Sequence, residues 1–196
     1  TTTNGVWTAK RGNNAFDDTN VYFHIDQNQR YIQSLGFTGT KSIINRPLNV
    51  DTDGVNGDDN SHYSGGSSDY LAFGHGCVND SEDADVILHE YGHGIQANIN
   101  SSWSGGDTGA MGEGFGDYWA ASYSYSTPNG KTYHPEWAFS WDGHGACWAG
   151  RMLNRTDAKY NSAKTYGAHT SVTEGGVTFQ SDELWSAPLF QSLVSL

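Results

Sequence analysis

The run His89-Glu90-Tyr91-Gly92-His93 places two imidazoles four residues apart, with a carboxylate directly after the first. On a helix, residues four apart share a face, so His89 and His93 can offer ring nitrogens to one metal ion. Glu90 can then reach a water held on that metal. A second acidic group, Glu113-Gly114-Phe115-Gly116-Asp117, begins twenty residues after His93, and its two carboxylates have helical spacing. Two histidines and Glu113 would leave one position of a tetrahedral zinc ion open, which separates catalytic zinc from closed structural zinc. The pattern points to a zinc hydrolase acting on peptide bonds. The plain alternative is a helix with two surface histidines, and the Glu113/Asp117 spacing weighs against it.

These groups need two helices to carry them. The first is expected to start at Asp80 or Ser81, with Glu82, Asp83 and Asp85 complementing the dipole of its first turn. Ala84, Val86, Ile87, Leu88 and Ile95 give that helix a buried character. Gly92 and Gly94 cost helix stability and so imply close packing near the site. The second helix is expected over 108–124. Earlier in the chain, the apolar spacing of Val21, Ile25, Ile32 and Leu35 predicts a helix over 18–36, stopped by Gly36. Residues 1–17 read as strand and loop, 41–50 as a strand interrupted by Pro47, and 51–60 as an acidic loop. A short strand is expected at 70–74. Residues 126–180 read as glycine-rich and irregular. A closing helix over 182–196 must be started, kinked or broken by Pro188.

The formal charge is -12, with 16 Asp against 5 Lys and 5 Arg, which leaves no basic patch for nucleic acid. No apolar run approaches the ~20 residues needed to span a bilayer, so no membrane partner is expected. The 25 Gly and 4 Pro imply many turns and long loops. Asp-rich loops suit calcium: one set is Asp51, Asp53, Asp58 and Asp59, another Asp80, Glu82, Asp83 and Asp85. Neither has EF-hand spacing, and the second can equally serve a helix start. An acidic surface can also simply maintain solubility. Cys77 and Cys147 can form one disulfide or stay as buried thiols; the disulfide is favoured because the composition looks secreted. The opening residues have neither a basic start nor an apolar stretch, so an exported protein would be a mature form without its leader.

The chain resembles the thermolysin and fungalysin group of zinc endopeptidases, the gluzincins. Residues 82–94 are similar to their zinc helix and 109–117 to their third-ligand helix. Residues 59–63, with 73–76, are similar to their substrate-binding edge strand and following turn, so the likeness covers roughly residues 20 to 125. The resemblance implies an α+β zincin fold in a single catalytic domain over 1–196. A β-rich lobe of approximately 1–100 would include the zinc helix, and approximately 101–196 would form a mainly helical lobe. It implies zinc on His89, His93 and Glu113, with Glu90 as general base. Asp117 would accept a hydrogen bond from the other nitrogen of His89. Asn60 and Ser61 would bind an extended peptide as an added strand. It further implies a secreted monomer acting on protein substrates, with hydrophobic residues preferred on the leaving-amine side.

Two features depart from the pattern. Family members place a histidine shortly before a Glu-hydrophobic-Trp helix to stabilise the oxyanion. Here Val177-Thr178-Phe179-Gln180 precedes Asp182-Glu183-Leu184-Trp185, and Trp103 and Ser104 stand where a tyrosine would. His169 is the nearest candidate, with His144 and Tyr166 behind it. The chain after Asp117 is also short for a helical lobe, so a compact version and a lost C-terminal part both stand open. Two other readings compete with the peptidase. One is a zinc-bearing peptide-binding module impaired in catalysis. The other is a calcium-stabilised extracellular domain whose histidine pair is accidental.

Overall fold

A computed structural model of the chain describes residues 4–196. The opening stretch expected as strand and loop lies outside these residues at positions 1–3. From residue 4 it holds no strand before the first helix. That helix, α1, spans Asn14–Ser34. It starts four residues earlier than the apolar spacing indicates, because Asn13 caps it: its side chain accepts from the Ala15 N–H at 2.9 Å. Val21 and Ile32 are its buried apolar positions.

Three short strands form one sheet. They are β1 (Asn49–Asp51), β2 (Ser61–Ser64) and β3 (Tyr70–Phe73), in the order β1-β3-β2. β1 runs parallel to β3 and β2 antiparallel to it, with Ser61 opposite Phe73. β2 is therefore an edge. The strand expected over 41–50 survives only as the start of β1. Ile43 and Ile44 both turn inward, Ile44 in a left-handed conformation at φ 49°, so the two-residue alternation a strand needs is lost. Their carbonyls are taken by Gln29 Nε2 on α1, at 2.8 and 3.2 Å.

The central helix α2 spans Ala84–Ile99. Its cap is Asp83, whose side chain accepts from the Asp85 N–H at 2.8 Å, while Asp80–Glu82 form a single 3₁₀ turn before it. α3 (Thr108–Ser126) packs across α2, and α4 (Glu183–Val194) packs on α3. Glycines set these distances. A Cβ on Gly92 would lie 3.2 Å from the Gly116 Cα, and one on Gly114 would lie 2.5 Å from the Asp182 carbonyl oxygen. Pro188 sits inside α4 without ending it.

Residues 126–180 are less irregular than expected. They contain two small antiparallel ladders, β4 (Trp137–Ala138) with β5 (Arg151–Met152), and β6 (Ser171–Glu174) with β7 (Val177–Gln180). The β6–β7 hairpin turns on Gly175 and Gly176, at φ 59° and 83°, the two left-handed positions that a tight hairpin turn requires. Cys77 and Cys147 form a disulfide. The core gathers Val21, Leu71, Phe73, Ile87, Leu88, Tyr91 and Leu153. The class is mixed α+β, but the first hundred residues hold more helix than strand and are not β-rich. No helix among the described residues is long and apolar enough to cross a membrane.

Candidate active site

α2 and α3 cross so that their functional residues meet at one point. His89 Nε2 lies 3.1 Å from His93 Nε2 and 3.0 Å from Glu113 Oε2, and His93 Nε2 lies 3.7 Å from the same oxygen. Donors held about 2.05 Å from a tetrahedral zinc stand about 3.3 Å apart, so these spacings bracket what the ion needs. The donor set, two imidazoles and one carboxylate, also suits zinc and leaves a fourth position for a small ligand. Glu90 is buried and adjoins the two histidines, with its carboxylate within 4.8 Å of their ring nitrogens.

Behind the donors, Asp117 is fully buried and comes within 3.0 Å of His89 Nδ1. The carboxylate lies off the ring N–H axis, so the contact is close without being a well-aligned hydrogen bond. Asp117 is also gripped by Arg151, whose Nε and Nη2 each donate at 2.7 Å. The guanidinium lies over Phe139 and Trp148, 4.7 and 5.3 Å from their ring centres. Burial alone would raise Asp117, but Arg151 and His89 hold it below the usual carboxylate range. Burial would lower His89, yet Asp117 and Glu113 push it up to about 10. Burial would raise Glu113, and bonds from His169, His89 and His93 outweigh that and hold it well below its ordinary value.

The structure places His169 in this group. Its Nδ1 lies 2.9 Å from Asp182 Oδ2, its backbone N–H donates to Asp182 Oδ1 at 3.1 Å, and its Nε2 is 3.2 Å from Glu113 Oε2. The Asp182 and Glu113 carboxylates push it up to about 9. At φ 50° the residue occupies a left-handed conformation that non-glycine residues rarely adopt. The β6–β7 hairpin explains why this was hard to read in sequence. The hairpin loops out between His169 and α4, and its ends close when Ser181 N–H donates to the Thr170 carbonyl at 2.8 Å. The other two candidates are elsewhere. His144 stacks on Trp137 and bonds the Ala138 carbonyl, and Tyr166 is buried against Asn161.

A cavity of about 760 Å³ opens over these donors and runs along β2, with Asn60, Ser61, His62 and Tyr63 on its wall. The expected edge strand therefore borders the site. The expected calcium quartet is not brought together. Asp51 accepts from the Asp53 N–H, Asp53 pairs with His75 at 2.9 Å, and Asp59 groups instead with Asp80 and Asp142. In the second set, Glu82 pairs with Arg11 and Asp83 caps α2. Asp85 accepts from Ser124 Oγ and the Ser140 N–H, which leaves Asp80 alone facing the cavity. Arg151 and Asp142 were missed in sequence because nothing local marks them; both gain meaning only through partners far along the chain. Compared with protein-family models, with curated proteins and with solved structures, the chain matches none.

Proposed function

We propose that the chain is a secreted zinc-dependent endopeptidase of the thermolysin-like kind, acting on extended peptide segments. The observation that carries this reading is the convergence of His89, His93 and Glu113 beside the buried Glu90, on the floor of a cavity walled by a sheet edge. Zinc, when bound, would supply a Lewis acid that polarises a peptide carbonyl and acidifies water.

The chain's own residues supply the rest. Glu90 takes a proton from the attacking water and returns it to the leaving amine. Asp117, held in place by Arg151, keeps the His89 ring turned so that Nε2 faces the other donors. His169, backed by Asp182, offers an N–H from Nε2 to the oxyanion that develops on the carbonyl. The exposed ladder side of β2 offers backbone groups to a substrate laid alongside as a further strand. The Cys77–Cys147 disulfide is consistent with an oxidising compartment and supports the assignment to secretion.

The competing reading, a zinc-bearing module that binds peptides without cutting them, drew its strength from the apparent lack of an oxyanion histidine. The position of His169 favours the enzyme. Substituting Glu90→Gln decides the base. Turnover should fall about 10²- to 10⁴-fold while zinc stoichiometry stays at one. Turnover that survives the substitution would remove Glu90 from the mechanism.

A further inference from the structure

One arm of the cavity carries charge that this chemistry does not use. Asp59, Asp80 and Asp142 each bring a carboxylate oxygen within 4.8 Å of the other two, and all three line the same cavity as Glu90. Asp80 and Asp142 are 3% and 6% exposed. One oxygen of each is engaged: Ser61 Oγ donates to Asp80 Oδ2 at 2.7 Å, and Trp148 Nε1 donates to Asp142 Oδ2 at 2.6 Å. The remaining oxygens, Asp80 Oδ1 and Asp142 Oδ1, are buried and accept no hydrogen bond. Buried acceptors without a donor are costly, and buried like charges more so, unless a ligand completes them.

We infer that Asp59, Asp80 and Asp142 form a subsite for a basic side chain of the substrate, lysine above all, next to the bond being cut. This rests on the peptidase reading, whose cleft it shares. An ammonium group has three donors and no acceptor, matching three carboxylates that each offer one oxygen. Acceptors about 2.8 Å from such a nitrogen stand about 4.6 Å apart, which the 4.8 Å limit on these oxygens allows. A calcium ion would need about six to eight oxygens, and with Asp80 Oδ2 and Asp142 Oδ2 already engaged by Ser61 and Trp148 these residues alone fall short of that number. The position favours substrate as well. Ser61, which holds Asp80, is the first residue of the edge strand along which a peptide would lie. Burial, then Asp142, Asp59 and Glu90, push Asp80 up to about 7, so a basic side chain would be held more tightly as pH rises through that value and Asp80 ionises.

The test uses the zinc-loaded full chain on a mixture of unfolded proteins, with every cleavage site sequenced by mass spectrometry. Lysine or arginine should be enriched at one fixed position beside the cut. In the double variant Asp80→Asn, Asp142→Asn, kcat/KM for a lysine peptide should fall on the order of a hundredfold relative to its norleucine counterpart. The exposed Asp59→Asn, which puts no buried packing at risk, should shift the same ratio in the same direction. Zinc-dependent cleavage without basic enrichment overturns the subsite and leaves the peptidase standing. If nothing is cut, the peptidase reading fails, and calorimetry with the same two peptides still judges the subsite. Tighter lysine binding that the double variant abolishes supports it, and equal binding overturns it. Stoichiometric calcium uptake that the double variant abolishes, with no preference between the peptides, overturns it in favour of a divalent-cation site.

Discussion

His169 is tethered at both ring nitrogens, with Nδ1 on Asp182 and Nε2 3.2 Å from Glu113. The Asp182 contact fixes the ring, so its Nε2 N–H needs only to pass from Glu113 to the developing oxyanion and loses little freedom during reaction. His169→Ala should therefore lower kcat about 10²- to 10³-fold while KM changes little. Steady-state kinetics on a fluorogenic peptide checks this, and an unchanged kcat would take His169 out of the chemistry. His89 gives a second consequence. Its pKa is pushed up to about 10, against 6.5 for the ordinary group, so its imidazolium is stabilised by folding up to and through neutral pH. A metal must displace that proton. Zinc uptake at pH 7 should release at least one proton, and apparent zinc affinity should rise about tenfold per pH unit up to that value. Calorimetry in buffers of differing ionisation heat measures the release; uptake without a proton would contradict the pairing with Asp117 and Glu113. At this scale the sequence was legible where the helical period is local. His89, Glu90, His93 and Glu113 could be marked out by spacing, while the part expected of Asp117 came from the family resemblance. Arg151 could not, because its meaning comes from a carboxylate 34 positions away.

Elements bring these residues within reach of each other, and α3 does so through its glycines. A Cβ on Gly116 would lie 2.7 Å from His89 Nδ1, so the His89 ring fits only because that face of α3 is bare. Gly116→Ala should weaken zinc binding about 10- to 100-fold by displacing the ring. The crowded methyl costs about 1 to 3 kcal/mol of packing against the up to about 1 kcal/mol that alanine adds to the helix, so thermal melting of the metal-free variant is followed alongside to separate weaker binding from lost folding. Competition against a chromophoric chelator reads the affinity, and an unchanged value would show that the ring does not need this contact. The helices were visible in sequence for different reasons: α1 by its apolar spacing, α2 and α4 by acidic first turns, and α3, which has neither a side-chain cap bond nor an acidic first turn, by the spacing of Glu113 and Asp117. The β6–β7 hairpin was not. Val177-Thr178-Phe179-Gln180 does alternate apolar and polar beside the Gly175-Gly176 turn, but its function is topological and has no local mark: it carries the chain away and returns it so that Asp182 meets His169 across thirteen positions. The expected strand over 41–50 failed for the complementary reason, since Ile43 and Ile44 are apolar for the core and not for a sheet face.

At the scale of the whole molecule, the charge of -12 is unevenly used. Some carboxylates cap helices or pair with arginines, and others gather in the cleft, where the field favours positive groups. The disulfide joins positions separated by 70 residues, a closure that stabilises by about 4 kcal/mol on chain-entropy grounds. It ties the turn after β3 to the segment bearing Asp142, Trp148 and Arg151, so it braces the cavity wall. The α+β class was legible from the mixture of periodicities, while the balance of helix over strand in the first half was not. The measurement that tests the central claim most directly is hydrolysis of an unfolded protein by the purified chain. It is followed before chelation, after zinc is stripped, and after zinc is returned. Cleavage that is present, disappears with chelation and returns with one equivalent of zinc is the predicted result. Cleavage unaffected by chelation, or zinc uptake without any cleavage, would contradict it.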